Sequence, residues 1–189
     1  MKVDTLPSRE QAIALLNEWV ENPALRKHCC CVETAMRAYA RRFGEDEERW
    51  GLTGLIHDFD WERHPDAARH PMMGVELLRE KGWPEDICRA VLSHANYSGV
   101  PRDSLLARTL FACDELCGFL VACALVMPDK SIAKVEASSV KKKLKRPDFA
   151  RNVSRDDIVN GAAELGVDLD EHIAFTLDAL RASRTELGL

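Results

Sequence analysis

The chain has 189 residues, 46% of them hydrophobic and 30% charged, which suits one globular domain with a substantial core and leaves too little for two. Its net charge of -5 argues against general nucleic-acid binding through a basic surface, and no apolar stretch is long enough to span a bilayer. The opening MKVDTLPSREQ lacks the apolar centre of a signal peptide, so a cytoplasmic protein with no membrane partner and no strong nucleic-acid signal is expected. The seven cysteines are odd in number and form no CxxC pair. They are expected as reduced thiols, with Cys113 and Cys117 serving as small buried hydrophobes one helical turn apart.

In chain order the apolar period is helical nearly throughout, and no convincing alternating strand appears. Ser8 with Gln11 makes a capping box for a helix carrying Ile13, Leu16 and Val20. Asn22-Pro23 then supplies a cap and a first-turn proline for a second helix, whose inward stripe is Leu25, His28, Cys29, Val32, Met36, Tyr39, Ala40 and Phe43. A third helix, roughly Glu47 to His57, is apolar almost all round in its second half, the mark of a segment at the centre of a bundle. Gly51 and Gly54 would let its neighbours come close. A polar loop from Phe59 to Pro65 follows, with Trp61 placed to seal the core and His64 solvated. The next helix runs from near His70-Pro71 to Lys81, with Met73, Leu77 and Leu78 as core candidates, and Gly82-Trp83-Pro84 ends it. Ile87, Val91 and His94 share one face of the helix after that. The longest helix spans about Asp103 to Val126, with Asp114 in the middle of the stripe Leu106, Leu110, Cys113, Cys117, Leu120. Beyond it come the basic segment Lys141-Lys142-Lys143-Leu144-Lys145-Arg146, a helix capped by Ser154, and a last helix from Leu169 to Leu180 on which His172 is expected at the surface.

Buried carboxylates and imidazoles are costly unless they are paired or hold a metal. A lone histidine on an apolar face is ordinarily a satisfied core residue, and His28 or His94 alone would signify little. Asp114 is different, because a carboxylate among Leu110, Cys113 and Cys117 must find a cation, strong donors or a metal. Asp58 follows His57 at a helix end, where both side chains can turn toward one point. Neutral imidazoles with ionised carboxylates suit divalent first-row ions, and such an ion acidifies water and polarises a phosphoryl oxygen.

The ordered series His28, Leu-Ile-His57-Asp58, Ser-His94 and Ala-Cys-Asp114, each on its own helix or helix end, resembles the HD-domain metal-dependent phosphohydrolases. The resemblance implies an all-α fold, a single HD-type helical bundle over 1–189 with a metal-site core at about 25–126 and a helical extension at about 130–185. It implies that His28, His57, Asp58 and Asp114 hold a first metal. In two-metal branches, a histidine like His70 in His70-Pro71-x-x-Gly74 holds a second ion together with one like His94. Asp58 then bridges the pair and acts as the catalytic carboxylate that orients the attacking water. The implied cofactor is one or two divalent ions, with Fe, Mn, Zn, Ni and Mg all eligible. The implied partner is a small phosphorylated substrate, a phosphomonoester or phosphodiester, with nucleotides among the candidates. The sequence HDFD replaces HDIG and no GYP motif follows, which argues against cyclic-dinucleotide hydrolysis. Two alternatives stay open: a di-iron oxygenase on the same donor set, and a non-catalytic nucleotide-binding module. For substrate contact the candidates are Arg63, the Asn96-Tyr97 turn, and the basic run 141–146, which is otherwise a solvated face.

Overall fold

The computed structural model describes residues 6–189. Among them are ten α-helices and two short 3-10 turns, with no strand, so the all-α expectation holds. The helices are α1 (Arg9–Trp19), α2 (Pro23–Phe43), α3 (Glu47–Ile56), α4 (Met72–Glu80), α5 (Glu85–His94), α6 (Leu105–Leu125), α7 (Ala137–Leu144), α8 (Arg155–Leu165), α9 (Leu169–Ala182) and α10 (Arg184–Leu187). None is long and apolar enough to cross a membrane.

Local chemistry fixes the ends of these elements. The Ser8 hydroxyl accepts from the Gln11 amide while the Gln11 side chain accepts from the Ser8 amide, the reciprocal pair that satisfies two orphan donors of α1. Asn22, Asp46, Ser104, Ser154 and Asp168 each accept from backbone amides in the first turns of α2, α3, α6, α8 and α9.

Two apolar clusters result. One joins α2, α6, α8 and α9 through Met36, Tyr39, Leu110, Leu116, Phe119, Ile158 and Leu177. The other joins α1, α3, α4 and α5 through Leu16, Leu52, Ile56, Phe59, Val75, Leu78, Ile87 and Val91. Helix α2 belongs to both, since Cys29 sits in the second and Val32 in the first, with Cys30 packed against each. Helix α3 is buried at every position from Trp50 to Ile56, as its all-round apolar character requires. It lies so close to α2 that a Cβ on Gly54 would stand 2.9 Å from the α2 backbone at Val32 and Glu33. Buried Glu33 ties the neighbourhood together by accepting from both Arg9 and Arg37.

Several expectations need correction. Met73 is 42% exposed and Leu77 only partly buried, because α4 is covered on one side and its core contacts come from Val75 and Leu78. His172 is fully buried rather than on the surface. Its Nε2 donates to the Ala112 carbonyl at 2.8 Å and its Nδ1 faces the Tyr39 hydroxyl at 2.6 Å, so α9 is pinned to α6 and α2 by one imidazole. Burial holds that imidazole below its ordinary pKa. His64 is half-buried against the Trp19 ring rather than solvated. All seven cysteines are free thiols, and six are buried. The basic run extends a helix of its own, α7, that the charge pattern did not reveal.

Candidate metal centre

The turn after α3 carries the centre. Phe59 points into the second apolar cluster and meets Trp19 edge-on at 5.3 Å. Anchoring Phe59 inward leaves its neighbour Asp58 to face the other way, toward a cavity of about 440 Å³, with Asp60 buried behind it. The His28 (α2), Asp58, His70, His94 (α5) and Asp114 (α6) side chains line that cavity, and His57 at the end of α3 lies just behind them, fully buried. All six residues singled out from the sequence therefore converge.

They converge in two groups that share one carboxylate. Donor atoms of His28, His57, Asp58 and Asp114 lie within 4.8 Å of one another, as do those of Asp58, His70 and His94. The Asp58 Oδ2 atom faces the first group, 3.9 Å from His28 Nε2 and 3.5 Å from His57 Nε2. Its Oδ1 atom faces the second, 3.3 Å from Nε2 of both His70 and His94. Asp114 Oδ1 completes the first group at 3.0 Å from His28 Nε2 and 3.4 Å from His57 Nε2.

Hydrogen bonds at the other ring nitrogens fix the imidazoles. His57 Nδ1 donates to the Gly54 carbonyl at 2.8 Å and His94 Nδ1 to the Val91 carbonyl at 2.5 Å, both carbonyls being pure acceptors. His70 Nδ1 donates to Asp60 Oδ1 at 2.8 Å. In the neutral ring each Nε2 is then a bare lone pair aimed into the cavity. Yet Nε2 atoms stand 3.2 Å apart in the pair His28–His57 and 3.3 Å apart in His70–His94. Two lone pairs at that distance repel unless a proton or a cation lies between them. For metal–nitrogen bonds of about 2.1 Å, neighbouring ligands of an octahedral or tetrahedral ion stand about 3.0–3.4 Å apart. The donor set fits a divalent ion in each group.

The charges answer to one another. Burial disfavours charge on His57, but Asp58 and Asp114 outweigh it and hold its pKa up to about 9. Burial likewise opposes charge on His70, and hydrogen bonds to Asp58 and Asp60 overcome it, again raising the pKa to about 9. Burial would push both Asp58 and Asp114 up, yet the adjoining imidazoles, His57 first, hold them well below the usual carboxylate range.

Asp60 was missed by sequence reasoning. It is fully buried, orients His70, and accepts the Gly74 amide at 2.9 Å on its second oxygen. A Cβ at Gly74 would stand 2.5 Å from the Asp60 carboxyl carbon, so the glycine makes room for this contact. The spacing His70-Pro71-x-x-Gly74 held the signal, because a glycine in the first turn of α4 asks for a close neighbour. Glu115 and Asp157, which also line the cavity, were missed too.

Of the proposed substrate contacts, the Asn96-Tyr97 turn lines the cavity, whereas Arg63 and the basic run do not. Arg63 stacks over Trp19 at 4.2 Å and donates to the Glu18 carbonyl. Lys141 pairs with Asp170 and Arg146 with Asp148, on the α7 side of the molecule. Trp61 is 40% exposed and meets the His70 ring edge-on at 4.9 Å, so it walls the cavity rather than sealing the core, which Trp83 does.

Comparison with known proteins agrees with this geometry. The family model described as HD domain matches residues 25–118, the span that contains every convergent side chain. A ribonuclease Y from Oleidesulfovibrio alaskensis is 31% identical over 93 residues, covering 49% of this chain and 18% of that protein. The chain thus corresponds to a small part of that relative's length. No solved structure matches. With the family model spanning α2 through most of α6, this chain belongs to the HD-domain family.

Proposed function

We propose that this protein is a metal-dependent phosphohydrolase acting on a small phosphoester. The observation that carries the proposal is the position of Asp58 between two histidine groups whose Nε2 atoms all turn inward. His28, His57, Asp58 and Asp114 would hold one divalent ion, and Asp58, His70 and His94 a second. Bound there, such ions acidify water to a nucleophile near neutral pH and offset phosphoryl charge. Asp58 sets the spacing of the two groups and keeps a lone pair to accept from the attacking water. His57, His70 and His94 need no reorientation, since their Nδ1 bonds already aim them. Trp61, Tyr97 and Phe111 supply walls against which the organic part of a substrate packs.

The test is Asp58→Ala, assayed for metal content by elemental analysis, for turnover across a phosphoester panel, and for helicity by circular dichroism. Loss of metal and turnover with helicity retained is the expected outcome. Turnover equal to that of the parent overturns the proposal. Oxygen consumption with an iron spectrum, and no phosphate release, would move the same site to the oxygenase alternative.

A further inference from the structure

The rest of the cavity wall has an unusual charge for a phosphate pocket. Among the described residues that line it there is no lysine or arginine, while Glu115 and Asp157 join Asp58 and Asp114. Two basic side chains on the flanking segments, Arg102 and Arg155, are committed elsewhere. Arg102 pairs with Glu164, donates to the Ser93 carbonyl and stacks on Phe111 at 3.7 Å. Arg155 donates to the carbonyls of Phe149, Ala150 and Val153.

Glu115 and Asp157 are held in place by neutral donors. Glu115 Oε2 accepts the Ser154 amide at 3.1 Å, and Asp157 Oδ1 accepts from the Asn96 side chain at 3.0 Å. Each keeps its other carboxylate oxygen for a ligand. Two divalent ions outweigh the carboxylates of Asp58, Asp60 and Asp114 and leave that end of the cavity positive for a phosphate. Glu115 and Asp157 remain unbalanced by anything in the wall. Beside them, Trp61 and Tyr97, residues 40% and 51% exposed, line the same cavity, and among the described residues no side-chain cation lies over either ring. Exposed aromatic faces and carboxylates both attract an ammonium group.

We infer that the substrate is a small phosphomonoester whose organic part carries an ammonium group, with Glu115 and Asp157 as the residues that select it. The inference rests on the phosphohydrolase proposal, because the phosphate is assigned to the metal end of the cavity. A polyphosphate or a second anionic group finds no counter-charge at the Glu115–Asp157 end and is disfavoured there.

Calorimetric binding of two phosphonates, which the enzyme cannot hydrolyse, tests this on metal-loaded protein. 3-Aminopropylphosphonate and butylphosphonate have the same length and differ in the terminal ammonium. The amine is expected to bind on the order of tenfold more tightly, as one partly screened ion pair provides. In Asp157→Asn and Glu115→Gln, each checked for metal content and for thermal unfolding, that preference should shrink several-fold toward parity. Equal binding of the two phosphonates by the parent protein overturns the ammonium inference and leaves the phosphohydrolase proposal standing. So does a preference unchanged in both variants. Failure of both phosphonates to bind the loaded protein at millimolar concentration overturns both proposals. The comparison of ligands on the parent protein needs no variant to fold.

Discussion

At the scale of single residues, the centre depends on groups that never face the cavity. Asp60 touches no site for an ion, yet it fixes the ring of His70 and is itself fixed by the Gly74 amide. Outer partners of this kind are worth about 10–100-fold in metal affinity. Asp60→Asn keeps the shape but weakens the acceptor, so occupancy at Asp58–His70–His94 should fall by that order while the first group stays loaded. Stepwise metal titration with one tight and one weakened equivalent is the expected result, and equal loss at both sites would count against it. Gly74→Ala should give the same pattern, since the added methyl stands 2.5 Å from the Asp60 carboxyl carbon. His28, His94 and Asp114 were legible in the sequence because imidazoles and carboxylates are conspicuous on apolar faces, His57 and Asp58 because they end an apolar run, and His70 only through the family resemblance. Asp60 was not, because an aspartate in a polar loop carries no such contrast until the chain folds back ten residues later. His172 failed for the opposite reason: one imidazole on an amphipathic helix looks the same whether it points out or is satisfied by Tyr39 and Ala112.

At the scale of elements, α3 presents His57 and Asp58 only because it can nestle against α2 at Gly54. Alanine favours a helix over glycine by about 1 kcal/mol, so Gly54→Ala would stabilise α3 if space allowed. Space does not allow it: the new methyl would stand 2.9 Å from the backbone at Val32 and Glu33, and backbone in a packed helix cannot step aside. Overpacking of this kind costs about 1–3 kcal/mol, which outweighs the propensity gain. A lower midpoint in urea for the metal-free protein, together with weaker metal loading through displaced His57, is the expected outcome. A raised midpoint would show that α2 and α3 can separate without harm. Periodicity and caps were enough to find α1 to α6, because each has an apolar stripe and a start signal. They were not enough for α7, where three lysines hide a single buried anchor, Val140. Nor could they show that α8 closes the cavity, since the contact of Ser154 with Glu115 joins residues 39 apart in the chain.

At the scale of the whole molecule, the ion-binding core couples stability and metal loading to pH. In the metal-free protein His57 and His70 have pKa values raised to about 9 from an ordinary 6.5, so both hold protons at neutral pH. A raised pKa means that the folded state binds protons more tightly than the unfolded chain. Their contribution to stability is therefore complete below pH 6.5 and is lost as pH rises through about 9. Metal must displace the same protons, since a protonated Nε2 offers no lone pair. Between pH 6 and 8 the apparent affinity should rise with pH, by up to about tenfold per unit for each proton released. The two effects have opposite signs, which makes them separable in one experiment. Thermal unfolding at pH 6, 7 and 8, with chelator and with excess manganese, should show the chelated protein losing stability relative to the loaded one as pH rises. The gap between the two melting temperatures should widen at each step. A gap that is constant across that range would mean the imidazoles enter the metal-free fold already neutral, and the carboxylates Asp58 and Asp114 would then lack the partners that keep them charged in the interior.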